Sequence, residues 1–237
     1  MKRSKKEGFA MYGIDQYYII LVLPALILSI FAQFKVKSTF NKYSRVRNTS
    51  GMTGADVARL ILDRNGLSDV RIERVAGELT DHYDPRTRVI RLSQSVYGSN
   101  SVAAIGVAAH ETGHAIQHSE QYGPLVLKRN LVPVANIGSC LGFPLAIAGL
   151  FFGLPFLVNL GIIFYSLAVA FYVITLPVEF NASSRAIRTL EDTGVLNYDE
   201  IDPAKKVLSA AALTYVAAAA VAIGNLLRLI MLTKRRD

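Results

Sequence analysis

From Leu131 to Val178 the chain runs for 48 residues without a charge or a histidine. As one helix that stretch would be ~72 Å long at 1.5 Å per residue, more than twice the ~30 Å hydrocarbon core of a bilayer. It must fold back on itself, and Gly153-Leu154-Pro155 offers the turn chemistry to do so. Spans near 131–152 and 156–178 follow. Tyr17 to Phe34 is a further uncharged run of 18 residues. Its flank, Lys2-Arg3-Ser4-Lys5-Lys6, looks like the n-region of a secretion signal. The apolar part is too long for one, though, and no small-x-small cleavage site precedes Lys35, so it reads as an uncleaved anchor. Val207 to Leu227 is uncharged and Ala-rich, with Arg228 placed to snorkel toward headgroups. The fold class expected is an α-helical membrane protein with four transmembrane helices and one small polar α+β unit.

Composition agrees with a bilayer. Hydrophobic residues make up 51% of the chain, and they come in blocks rather than interspersed. The formal charge of +8 would by itself suit nucleic acid, but the basic residues cluster beside the apolar blocks, at Lys2 to Lys6, Lys35 to Arg47 and Lys234 to Arg236. There they would meet lipid headgroups. A nucleic-acid footprint needs a basic face, so no nucleic-acid partner is expected. The single cysteine, Cys140, lies inside an apolar block and can form neither an internal disulfide nor a thiolate metal cage.

The chain divides by polarity into 1–34 (basic segment and first span), 35–130 (polar unit), 131–178 (hairpin), 179–206 (a connecting segment) and 207–237 (last span and basic tail). Within the polar unit, Thr53 or Gly54 can cap a helix carrying Val57, Leu60, Ile61 and Leu62 that ends near Asn65-Gly66. Val70 to Val75 alternates as a strand does, and Asp84-Pro85-Arg86 is turn chemistry. Thr87 to Leu92 reads as a second strand with an exposed edge, able to receive a substrate backbone by edge addition. Asn100 or Ser101 then caps a helix through His110 to Gln117.

That helix carries His110-Glu111-Thr112-Gly113-His114. Histidines four apart stand one turn apart on one helical face, where their imidazoles can converge on one Zn²⁺, and Glu111 is placed as general base toward the attacking water. The bland alternative is a helix with surface histidines. A third ligand has to be a histidine or a carboxylate. His118 continues the same face but stands ~12 Å along the axis from His110, so it cannot share the metal unless the helix breaks after His114. Glu179, one residue past the long uncharged run, is the better candidate, because a carboxylate at the mouth of a membrane helix is costly unless something pairs with it. Pairing with Arg185 or Arg188 would satisfy it equally well.

The stretches VAAHETGHAIQH, LTDHYDPRTRVIRLS, LPVEFNASSRA, FAQFKVKSTFNKYS and KVLSAAALTYVAAAA resemble the YugP-type membrane zinc metallopeptidases of bacteria through nearly the full length. More distantly the chain is similar to the HtpX-type gluzincin membrane peptidases. The resemblance implies that the small α+β unit is a zincin-like catalytic unit with Zn²⁺ as cofactor, His110, His114 and Glu179 as its ligands, and Glu111 as the base. Those distant relatives carry an Asp four residues past the ligand Glu, where it orients a ligand histidine; here that place is Ser183. His82, Tyr83 and Arg185 are candidates for oxyanion or substrate contacts, although Asp81-His82-Tyr83 also reads as a plain turn.

The resulting expectation is a membrane-embedded zinc endopeptidase that cleaves membrane or membrane-proximal proteins in a bacterial cell membrane, by analogy in protein quality control. The alternative is a non-proteolytic scaffold with a retained metal site, though a structural zinc is closed by four protein ligands and the set here supplies three plus a base. A shared side for 35–130 and 179–206 would put eleven Lys and Arg near the membrane on the catalytic side against seven on the other. The positive-inside rule then places the catalytic unit in the cytoplasm.

Overall fold

The structure, a computed structural model, describes residues 15–234. The basic cluster at Lys2 to Lys6 and the basic residues Arg235 and Arg236 lie outside the described residues. Four helices among those described are long and apolar enough to cross a membrane: α1 (Tyr18–Tyr43), α5 (Gly123–Phe152), α6 (Pro155–Thr193) and α7 (Tyr198–Lys234). Between α1 and α5 stand α2 (Gly54–Arg64), β1 (Arg71–Val75), β2 (His82–Asp84), β3 (Val89–Ser93), the single-turn α3 (Gln94–Tyr97) and α4 (Val102–Ser119). Contacts within the chain define two units, and each long helix contributes residues to both. One comprises 1–31, 127–176 and 214–237, the other 32–126 and 177–213.

In the first unit helices approach through small residues. Gly153, with φ +69°, ends α5 in the left-handed conformation that glycine adopts without strain, and Pro155 starts α6. The two helices then pack so closely that a Cβ on Gly142 would stand 2.6 Å from the Tyr165 backbone nitrogen. Gly142 closes a π-helical turn, Gly138–Gly142, that precedes Pro144. Arg228 does not snorkel. It is 4% exposed, and its Nε and Nη2 reach Asp15 Oδ2 at 2.8 and 2.7 Å. Asp15 Oδ1 in turn accepts the Tyr18 N–H, tying down the start of α1. A carboxylate close in space, though 213 residues away in sequence, removes the reason to reach for headgroups.

The second unit has a core of large apolar side chains with no exposure: Ile61, Leu62, Ile90, Leu92, Ile105 and Leu190. Its helices start where their caps allow. Thr53 and Asp56 form a reciprocal capping box for α2, and Ser101 Oγ accepts the Ala104 N–H at the start of α4. The sheet order is β1-β3-β2, with β1 parallel and β2 antiparallel to β3. The strand expected to offer an open edge is therefore the central one, hydrogen-bonded on both sides. Edge addition to Arg88–Leu92 is excluded, and the edges belong to β1 and β2. The reason is Asp84, which folds His82–Asp84 back as a hairpin strand by accepting from Arg86 N (2.9 Å) and Thr87 Oγ1 (2.7 Å). Those bonds hold its carboxyl down at about 2.

The helix carrying Glu179 does not stop where the uncharged run stops. α6 continues through Pro177 to Thr193, so Glu179 and Ser183 stand one turn apart on one helix.

Candidate metal centre

All the residues below belong to the second unit. α4 presents His110 and His114 on one face with ring centroids 4.8 Å apart, nearly perpendicular. α6 crosses α4 closely at Gly113, where a Cβ would stand 2.7 Å from the Ala182 carbonyl oxygen. Only a glycine at this position lets the α6 backbone come near enough for Glu179 to reach both histidines. Glu179 is 3% exposed, and its Oε2 is 3.4 Å from His110 Nε2 and 3.3 Å from His114 Nε2.

These three side chains form a group whose ligand atoms lie within 4.8 Å of one another. Atoms bonded to a tetrahedral zinc at ~2.0–2.1 Å stand ~3.3–3.4 Å apart, so the two His–Glu separations have the length that such an ion requires. The donor set of two imidazole nitrogens and one carboxylate oxygen also matches an open, catalytic kind of site. Burial pushes the His114 imidazole toward its neutral form. The Glu179 carboxylate hydrogen-bonded to it, the charge of Glu111 and the Gln117 side chain outweigh that and raise it above its ordinary value. Glu111 is 8% exposed and adjoins both histidines on α4.

The remaining nitrogen of each ring is held too. Ser183 Oγ is 3.1 Å from His110 Nδ1, so the serine one turn past Glu179 holds that ring. Gln117, fully buried, places Oε1 3.0 Å from His114 Nδ1 and donates Nε2 to the Val178 carbonyl (2.9 Å) and to Asn181 Oδ1 (2.8 Å). Sequence reasoning misses Gln117 and Asn181. The only signal available for Gln117 is its spacing, three residues past His114 on the same helical face.

The other sequence candidates are placed as follows. His118 continues on the unbroken α4 and shares a 2.8 Å hydrogen bond with the Tyr83 hydroxyl through Nδ1. Tyr83 lies on β2, half-buried against the core, and its burial raises the phenol. His82, exposed, donates Nδ1–H to the Thr80 carbonyl at 2.8 Å. Arg185 sends Nε to Asn181 Oδ1 (2.7 Å) and Nη1 to Glu120 Oε2 (2.7 Å), with its guanidinium over the Tyr122 ring. The structure thus brings together His110, Glu111, His114 and Glu179, and it engages Arg185 with polar groups near the C-terminal end of α4.

A family profile described as "Putative neutral zinc metallopeptidase" matches residues 18–234. The chain is also 55% identical over 215 residues to the "Putative membrane protease YugP" of Bacillus subtilis (strain 168), which covers 91% of this chain and 96% of that protein. No solved structure matches the chain. The chain belongs to this neutral zinc metallopeptidase family, and zinc is the metal that the family implies.

Proposed function

We propose that this member of the neutral zinc metallopeptidase family is a membrane-embedded, gluzincin-like zinc endopeptidase whose second unit is a zincin-like catalytic unit. The observation that carries the reading is the convergence of His110 Nε2 and His114 Nε2 on Glu179 Oε2, at 3.4 and 3.3 Å, with Glu111 beside them. His110, His114 and Glu179 would hold the ion. When bound, zinc acidifies water and polarises a peptide carbonyl. The chain's own residues do the rest. The Glu111 carboxylate accepts the proton of the attacking water and delivers it to the leaving amine. Ser183 and Gln117 fix the two rings. The low exposure of Glu111 and Glu179 keeps bulk water from screening the charges that develop.

Substrate polypeptide adds to the open edge of β2, since β3 is paired on both sides, and Tyr83 on that strand is the candidate substrate contact. His82 stands on the same strand. Arg185, engaged on Asn181 and Glu120, serves the site by position rather than as an oxyanion donor. Glu179 follows the uncharged run by one residue, which favours membrane or membrane-proximal proteins as substrates, as quality control would require. The catalytic unit faces the cytoplasm of the bacterial cell membrane by the lysine and arginine count.

Purified wild-type chain in detergent should bind one equivalent of zinc and cleave an unfolded test protein, with loss of cleavage on chelation and recovery on adding zinc. Zinc binding without any cleavage of peptides or proteins would favour the scaffold reading. For orientation, a cysteine at exposed Ser68, with Cys140 replaced, should resist a membrane-impermeant thiol reagent until cells are opened. Labelling in intact cells would reverse the orientation and leave the metal site untouched.

A further inference from the structure

The His114 ring is held by a chain of hydrogen bonds whose direction is fixed from its far end. Arg185 can only donate, so its Nε at 2.7 Å obliges Asn181 to present Oδ1. The same Oδ1 then accepts from Gln117 at 2.8 Å, which obliges Gln117 to present Nε2 there. The Val178 carbonyl at 2.9 Å, which can only accept, makes the same demand on Gln117 Nε2. Oε1 is left facing His114 Nδ1 at 3.0 Å, and an amide oxygen can only accept. His114 must carry its proton on Nδ1, with Nε2 turned toward Glu179 Oε2 at 3.3 Å. No such demand reaches His110. Its partner, the Ser183 hydroxyl, can donate or accept as it rotates.

We propose that Arg185, Asn181 and Gln117 form a positioning relay that sets the hydrogen-bond polarity at His114 and so pre-arranges its Nε2 as a zinc ligand. The relay deepens the zinc-site reading above and rests on it. It also gives Arg185 a role that leaves it out of contact with substrate. Two anchors keep the guanidinium in place, Glu120 Oε2 at 2.7 Å and the face of Tyr122 at 5.9 Å. Burial matters here, because Gln117 has no exposure and a wrongly polarised amide would find no water to correct it.

The relay predicts an unusual response to Gln117→Glu. If Gln117 were merely an acceptor for His114, a carboxylate there would make the familiar carboxylate–histidine–zinc arrangement and hold zinc at least as tightly. In a polarised relay the second carboxylate oxygen faces two acceptors, Val178 O and Asn181 Oδ1, and binding should suffer. Zinc affinity of the full-length protein in detergent, measured by chelator competition, separates the two. Gln117→Glu and Asn181→Leu should each weaken zinc about 10–100-fold. Asn181→Asp keeps an acceptor for both Arg185 and Gln117 and should stay within about threefold of wild type. Arg185→Met should weaken wild type but relieve part of the Gln117→Glu loss, because Asn181 is then free to turn and donate. In ¹⁵N-histidine spectra of zinc-loaded protein, the His114 Nδ1–H should be protected from exchange in wild type and Asn181→Asp, and unprotected in Gln117→Leu. Zinc binding by Gln117→Glu equal to or tighter than wild type would overturn the relay alone. A wild-type chain that holds no zinc would overturn the metal reading and the relay with it.

Discussion

The two units of this chain differ in what becomes of their large apolar side chains. The second hides its large apolar side chains, such as Ile61, Leu92 and Ile105, at 0% exposure. The first buries a few, such as Leu150 and Leu229, beside small ones such as Ala146, Ala168 and Ala217, and leaves Ile20, Ile163, Phe152 and Phe156 59–74% exposed. In water a large apolar side chain gains by leaving solvent. In lipid it gains nothing that way, so helices associate by close backbone approach over glycine and alanine. Polar groups follow the same divide. The first unit buries the ion pair Asp15–Arg228, whereas the second gathers two histidines, two glutamates, a glutamine, an asparagine and an arginine into one connected site. Chemistry is concentrated where the hydrophobic core is rigid enough to hold it.

The change expected to break this contrast most sharply touches neither kind of packing. Glu111→Gln should lower turnover by roughly 10³-fold or more while zinc content and thermal unfolding stay at wild-type levels. Substantial cleavage by pure mutant protein would remove Glu111 from the mechanism. Glu179→Ala comes next and should cost both zinc affinity and activity, since it deletes an anionic ligand; zinc stoichiometry by metal analysis checks it.

Packing changes should then sort by unit. In the first unit, Asp15→Asn takes the Asp15 carboxylate away from buried Arg228 and should destabilise by up to about 3–5 kcal/mol. The pair Asp15→Asn with Arg228→Met should recover most of that in thermal unfolding, with the activity of the surviving protein unchanged. Large-to-small substitution should discriminate between the units: Ile61→Ala should cost about 2–5 kcal/mol, and Ile163→Ala, on a 59% exposed side chain, under about 1 kcal/mol. Equal costs would mean that the first unit packs like a soluble core. Two glycines of α4 make a finer test. Gly113→Ala meets a backbone oxygen at 2.7 Å and should weaken zinc, whereas Gly106→Ala meets Ala204 no closer than an ordinary 3.6 Å and should be nearly silent.

The smallest effect is in pH. The folded value of His114 is raised above its unfolded ~6.5, so in metal-free protein its contribution to stability is complete below ~6.5 and is lost as pH rises through the folded value. Zinc requires the unprotonated Nε2, so zinc affinity should move the opposite way and fall as pH drops through that value. Melting curves of metal-free and zinc-loaded protein against pH should therefore slope in opposite directions, with the metal-free slope absent in His114→Gln.

Much of this architecture is legible in the amino-acid sequence. A 48-residue uncharged run has too much length for one crossing and a turn signal in its middle, and a four-residue histidine spacing has a fixed meaning on a helix. Both follow from periodicities that a chain cannot escape. The caps at Thr53 and Ser101 are readable as pairs of options because capping is a local hydrogen bond. What the sequence hides is non-local. Whether Val89–Ser93 is an edge or a centre depends on Asp84 turning a three-residue strand back beside it, and three residues carry no periodic signal. Arg228 carries the sequence pattern of a snorkelling residue, but its partner lies 213 residues away.

The sequence by itself determined the apolar blocks long enough to span a membrane and the one-turn spacing of His110 and His114, because hydropathy blocks and one helical turn are properties of contiguous chain. Only the tertiary structure decided that α6 stays helical past its uncharged run, passes over Gly113, and delivers Glu179 with Ser183 and Asn181 to the two histidines. Those are contacts across more than 60 residues, and their geometry is set by where a missing Cβ lets two backbones meet.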